Sequence, residues 1–276
     1  MVYSSRRPRP RARGRPLSRD GKVLILAYDH GLEHGPVDFE PQPESADPEH
    51  VFDVATHPAV TSLATGKGVA EAFYPSYEDD VSLLSKLNGT SNLWMGEPDS
   101  AINCSVEYAV EELGAAAVGF TVYGGSNNEV EMCEEFRDAQ EKAREYGVPV
   151  VMWSYPRGQG LKNDTREGVV SYAARLGLEL GADVTKVKYP GSESAMERVC
   201  EMAAPMPVLM SGGSKTDDRA FLEQVRTVVD AGAGGLAVGR NIWQRENPHE
   251  FLDALEQVLH EGATAEEALR TAPTRA

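Results

Sequence analysis

Eight short apolar segments, each running into a polar or glycine-bearing turn and alternating with longer helical patterns, constrain this chain most. They lie near residues 24, 61, 84, 119, 151, 186, 209 and 237. The segments predicted as strands are Lys22–Leu26, Ala59–Ala64, Val81–Leu87, Ala116–Tyr123, Val148–Trp153, Asp183–Tyr189, Val208–Met210 and Gly235–Val238. Between and after them, helices are predicted from Asp47 to about His57, and over Cys104–Leu113, Glu129–Tyr146, Thr165–Leu180, Ser192–Ala203, Thr216–Ala231 and Pro248–Glu261. Asp47 reads as an N-cap with Pro48 in the first turn, and Thr165 as a cap. Alternation at this spacing predicts a parallel sheet covered by helices. Eight such units predict a closed (β/α)8 TIM barrel, an α/β fold. No strand-turn-helix unit carries GxGxxG, which disfavours a dinucleotide fold.

The expected organisation is a basic, disordered tail over 1–21, a barrel over 22–262 and a frayed end over 263–276. Residues 1–19 hold seven arginines and no acid, so with a net charge of −16 the remainder carries −23. Such a body repels nucleic acid. Only 8 of the 27 basic residues are lysines, an acidic, lysine-poor composition that suits a protein kept soluble in very high salt. No apolar run reaches the roughly 18 residues needed to cross a membrane, and no secretory signal is expected. Cys104, Cys133 and Cys200 are odd in number and widely spaced, so neither a disulfide framework nor a metal cluster is expected, and the expected compartment is the cytoplasm.

In such a barrel, functional groups collect where the strands run out at their C-terminal ends. Asp29 and His30 follow the first strand; Trp153, Tyr155 and Arg157 follow the fifth; Lys186 and Lys188 lie on the sixth. Residues i and i+2 of a strand share a face, so the two lysines point the same way. A buried lysine must be paired or lose its proton, and a lysine with a depressed pKa is what amine catalysis on a carbonyl needs. The strand geometry does not choose between the two. Trp153, Tyr155 and Arg157 would share a side if the extended conformation continues, and a tyrosine near a cationic amine can have its pKa lowered. Ser211, Gly212 and Gly213 after the seventh strand, with Gly239 and Arg240 after the eighth, let backbone N–H groups approach an anion. These loops are the usual phosphate site of such barrels. Asp29, His30 and His34 offer metal-ligand types, but lysine chemistry needs no metal and none is expected.

The stretches AYDHGLEHGP, WSYPRG, DVTKVKYPG, LMSGGSKT and AVGRNIWQ together resemble the archaeal-type class I fructose-1,6-bisphosphate aldolases, with similarity from about residue 22 to residue 260. The resemblance implies a barrel whose lysine forms a Schiff base with a ketose, without a cofactor. In that family the nucleophile stands 31 residues after the catalytic tyrosine, and Tyr155 plus 31 is Lys186. It further implies that Tyr155 handles protons and that Asp29 assists near the Schiff base. Ser211–Gly213 with Gly239 and Arg240 would hold the C1 phosphate, Arg157 would hold the C6 phosphate, and Lys188 would tune its neighbour Lys186. The same superfamily contains 2-amino-3,7-dideoxy-D-threo-hept-6-ulosonate synthase, which shares the Asp, Tyr and Lys and remains the alternative. The synthase tends to read PMDHG, MYPRG and IAGG where this chain reads AYDHG, WSYPRG and MSGG. Two positions depart from the aldolase pattern: the basic N-terminus, and Ser214 where proline is usual. The implied partners are a phosphorylated sugar and further copies of the chain, commonly pentamers paired into decamers.

Overall fold

The computed structural model describes residues 17–271. The barrel strands are β1 (Val23–Ala27), β2 (Ser62–Gly66), β3 (Leu83–Lys86), β4 (Ala117–Val122), β5 (Val150–Ser154), β6 (Val184–Val187), β7 (Val208–Ser211) and β8 (Gly235–Val238). They pair in sequence order, all parallel, and β8 returns to β1 to close the barrel. This is the predicted (β/α)8 architecture. The closing seam pairs Val23 with Gly235, and the backbone there is too close for a side chain: a Cβ on Gly235 would lie 2.0 Å from the Val23 carbonyl oxygen.

The helices form where an apolar stripe faces the sheet and a polar residue can start the turn. Asp47 caps Pro48–Ala55 by accepting from the Glu49 N–H, as predicted. Ser192 caps Glu193–Ala203, and Asp217 caps Asp218–Asp230. Each such cap contributes about 1 kcal/mol. Glu129–Tyr146 has the predicted bounds and ends at Gly147 in the left-handed region.

Several expectations need correction. Thr165 is not a cap: Arg166 precedes the helix Glu167–Glu179, and the Thr165 N–H and hydroxyl both go to Asn163 Oδ1. The helix predicted from Thr216 starts two residues later, because Asp217 is extended, with ψ 161°, and serves as the N-cap, accepting from the Ala220 N–H. The α-helix from Pro248 stops at Glu256 and passes into a π-turn over Gln257–Glu261. Within the expected frayed end, Ala265–Thr271 is instead a helix whose Ala265 and Ala268 are buried against the barrel's helical layer, and residues 272–276 lie outside the described residues. The greater part of the basic tail lies outside the described residues. Of its final stretch, Arg19 ties to Glu256 at 2.5 Å.

The apolar residues divide into two clusters. One lies between sheet and helices. The other fills the barrel, with Val23, Ile25, Ala64, Leu84, Ala117, Val151, Trp153, Val184, Leu209 and Ala237. Alternation along each strand then decides what stands above this plug. Two residues beyond Leu84 is Lys86, and two beyond Val184 is Lys186, so both lysines point into the lumen near its C-terminal mouth.

Candidate active site

Lys186 is 5% exposed and Lys86 2%. A leucine at either position would gain about 2 kcal/mol on burial, whereas an ammonium there costs several kcal/mol unless compensated. Two lysines kept in such a place are held against stability and mark a functional site. Strand β5 supplies the floor: Trp153 pairs in register with Lys186, and its ring centre is 4.8 Å from the Nζ of both Lys186 and Lys86. Tyr155, just beyond the strand, places its ring 5.7 Å from Lys186 Nζ.

The segment after β1 brings the acids. Asp29 precedes the short helix His30–Glu33 and does not cap it with its side chain. Its carboxylate lies 3.6 Å from Lys86 Nζ and 3.6 Å from His30 Nδ1. Glu33 reaches Lys86 Nζ at 3.4 Å, and Thr121 Oγ1 of β4 accepts from the same ammonium at 2.6 Å. Electrostatics follow from this enclosure. Burial lowers the Lys186 pKa from its ordinary 10.5, against the opposing pull of Asp29 and Glu33. Burial pushes Asp29 up, but Lys86, Lys186 and His30 outweigh it and hold the carboxyl at about 2. Burial draws His30 down to about 4, so its ring is neutral at neutral pH. Burial raises Glu33, with Lys86 opposing.

Tyr155 corrects an expectation. Its pKa is raised, first by burial and then by Glu33 and Asp29, with Lys86 and Arg157 pulling the other way. The phenol enters the site as a neutral O–H donor. Lys188 is a second correction. β6 ends at Val187, and the Lys188 ammonium is bonded to Asp164. Burial is what depresses Lys186, and the second buried amine of the site is Lys86. Trp153, Tyr155 and Arg157 do not act as one row: Trp153 is in the lumen, while the Arg157 guanidinium stacks 4.8 Å over Tyr123.

The glycine turns after β7 and β8 lie against each other. Asn241 Nδ2 donates to the Gly212 carbonyl at 2.7 Å and the Ser214 carbonyl at 3.0 Å, locking the first loop to the second. Gly213 has φ +62°, and a Cβ on Gly212 would meet Val238 Cγ1 at 2.8 Å. Gly239 starts the short helix Arg240–Trp243, and a Cβ there would lie 2.4 Å from the Ala27 carbonyl oxygen. Arg240 Nη1 donates to Asp38 at 3.4 Å. Around the mouth, Asp29 Oδ2, His30 Nδ1, Trp153 Nε1 and Arg240 Nε are buried without a hydrogen-bond partner in the chain. Polar atoms left this way in a cleft mark where a ligand is met. His30, His34 and Asp38 place ligand-type atoms within 4.8 Å of one another, but His34 Nδ1 already shares a 2.5 Å hydrogen bond with Asp38, which also accepts from Arg240.

The sequence reading missed Lys86, Glu33, Thr121 and Asp38. Lys86 had a signal: Leu84 and Lys86 on β3 repeat the inward i, i+2 placement of Val184 and Lys186 on β6.

A closed parallel barrel with a buried, deprotonation-prone lysine at its mouth defines the class of amine-bearing TIM barrels. Residues 23–245 match the DeoC/LacD family aldolases, and the chain belongs to that family. It is 69% identical over 254 residues, covering 92% of this chain and 96% of the relative, to the class 1 fructose-bisphosphate aldolase of Halobacterium salinarum. It is 32% identical over 261 residues, covering 95% of each chain, to the 2-amino-3,7-dideoxy-D-threo-hept-6-ulosonate synthase of the same species. A solved archaeal fructose-1,6-bisphosphate aldolase, with its catalytic lysine covalently bound to the carbinolamine intermediate of the substrate, superposes with TM-score 0.83. It is 47% identical over 87% of this chain and 94% of that one.

Proposed function

We propose that the protein is a class I aldolase that cleaves and forms fructose 1,6-bisphosphate through a Schiff base on Lys186, as a step of glycolysis and gluconeogenesis. The observation that carries this is a lysine buried at the barrel mouth whose proton is loosened by desolvation. The identity to the Halobacterium salinarum aldolase, more than twice that to the synthase, supports the bisphosphate over the alternative.

The neutral Lys186 amine adds to the C2 carbonyl, and the oxygen takes up a proton to give a carbinolamine. Loss of water leaves an iminium. Removal of the C4 hydroxyl proton then breaks C3–C4: the aldehyde, glyceraldehyde 3-phosphate, departs, and the bond's electron pair moves into the iminium as an enamine. Protonation at C3 and hydrolysis release dihydroxyacetone phosphate and restore the amine. Tyr155 donates its proton to the carbinolamine hydroxyl as water leaves, and the resulting phenolate accepts the C4 hydroxyl proton. Asp29, ionised at about 2, stabilises the positive iminium. Backbone groups of Ser211, Gly212, Gly213 and Gly239 hold the C1 phosphate with the Arg240 guanidinium, whose Nε is unpartnered. Arg157 meets the C6 phosphate from its seat on Tyr123, and Trp153 shapes the floor under C2. Lys188 stands at the rim in an ion pair with Asp164.

Gly239→Ala is expected to raise KM for the bisphosphate by on the order of tenfold or more, because the methyl group forces the loop off Ala27 and His30. Steady-state assays check this. The reading as a whole is tested by incubating the protein with dihydroxyacetone phosphate and borohydride and mapping the adduct. Cleavage of fructose 1,6-bisphosphate is then compared with the transaldol reaction on an amino-acid semialdehyde. Preference for the latter would move the chain to the synthase.

We also propose a cytoplasmic homo-oligomer. The described cysteines Cys104, Cys133 and Cys200 are all unpaired thiols, which supports a reducing compartment. The loop residues Leu93, Trp94 and Met95 are exposed at 92%, 66% and 92%, a surface suited to burial by another copy. No helix among the described residues is long and apolar enough to cross a membrane.

A further inference from the structure

Lys86 is a buried amine that the cleavage cycle leaves without a task. Three strands and the segment after β1 are built around it. Gly119 of β4 pairs with Lys86, and a Cβ there would come within 2.7 Å of Trp153 Cζ3 and 3.0 Å of Lys86 Cδ, so the glycine makes room for both side chains. Thr121, two residues on, fixes the ammonium at 2.6 Å. Glu33 and Asp29 then face it at 3.4 and 3.6 Å.

Two carboxyl groups and two amines thus share one desolvated space. Buried carboxylates require positive charge close by. Were Lys186 the sole amine, the acids that surround it would retain its proton, and a protonated amine cannot attack a carbonyl. Of the other groups facing Lys186, His30 and Tyr155 are neutral, while the Arg240 cation, itself paired with Asp38, adds to burial in lowering the Lys186 pKa.

We propose that Lys86 is a positioning residue for the amine step: its fixed ammonium is the standing counter-charge of Asp29 and Glu33, so that Lys186 can release its proton without leaving those carboxylates unpaired. This rests on the Schiff-base reading above. It assigns the second amine a role in which it forms no bond to substrate.

The test is the pH dependence of adduct formation with dihydroxyacetone phosphate and cyanoborohydride, with peptide mapping, in wild type, Lys86→Met, Lys86→Arg and Thr121→Val. Circular dichroism confirms folding. In Lys86→Met the rising limb is expected to move to higher pH by at least about one unit. Trapping at neutral pH falls about tenfold and recovers in alkali. Lys86→Arg keeps the limb near its wild-type position, and Thr121→Val moves it in the same direction as Lys86→Met by less. Should Lys86→Met not fold, Thr121→Val carries the test. A uniform loss at every pH with an unmoved limb overturns the proposal, as does an adduct on Lys86 itself. Absence of any wild-type adduct on Lys186 instead sinks the Schiff-base reading.

Discussion

Lys186→Met is expected to remain folded, form no borohydride-stable adduct and cleave fructose 1,6-bisphosphate on the order of 10⁴-fold or more slower than wild type. The size follows from the step removed. Without the amine there is no iminium, and the electron pair of C3–C4 has nowhere to go. The fold should survive because methionine keeps the stem that lies against Trp153 and removes an amine whose burial is costly. Stability should report the same group. The folded-state pKa of Lys186 is lowered from 10.5, so between the lowered value and 10.5 the unfolded chain holds a proton that the folded chain lacks. Stability therefore rises with pH through that window, and falls back as pH drops through the lowered value. Urea midpoints measured against pH should show that slope in wild type and not in the methionine variant. Equal slopes would mean that Lys186 is not held in a desolvated site.

Tyr155→Phe should separate binding of the ketose from breaking of its bond. Cleavage is expected to fall about 10²- to 10⁴-fold, while an adduct with dihydroxyacetone phosphate still forms on Lys186, more slowly. The ring that lies 5.7 Å from Lys186 Nζ is retained and only the hydroxyl is lost. Because burial and the neighbouring acids raise the phenol pKa, the free enzyme should show no loss of activity from tyrosine ionisation below its ordinary 10.0. A variant that kept full cleavage would remove Tyr155 from the proton path and leave the C4 proton to another group.

The corrections at Lys188 and Tyr155 have different physical causes. Lysine spacing on one strand placed Lys186 and Lys188 together, but β6 ends at Val187, and past the strand end the period of two no longer applies. Lys188 therefore turns to Asp164 at the rim, and the amine that shares the lumen arrives from β3, a hundred residues earlier in the chain. The tyrosine pKa was expected to fall because cations stand near it. They do oppose the rise, yet desolvation and the two carboxylates outweigh them. Charge proximity can be guessed from a motif, whereas the balance of charge against burial depends on what encloses the group.

The acidic, lysine-poor composition was legible without any fold, and it agrees with the Halobacterium salinarum relative. So was the barrel itself, since eight apolar segments separated by helical patterns leave few other solutions, and so were the glycine loops after β7 and β8, whose residue types are dictated by close backbone approach. Tyr155, Asp29 and the pair Lys186 and Lys188 also stood out, because each interrupts or follows an apolar strand at its C-terminal end; the choice of Lys186 came from the family resemblance. Only the tertiary structure brought Lys86, Glu33, Asp29 and Thr121 onto one ammonium, tied Arg240 to Asp38, and turned Lys188 out to Asp164. Local sequence carries periodicity and turn chemistry, which act over a few residues. Which charges neutralise one another inside the barrel depends on closure of the ring from β1 through β8, and that closure joins segments more than two hundred residues apart.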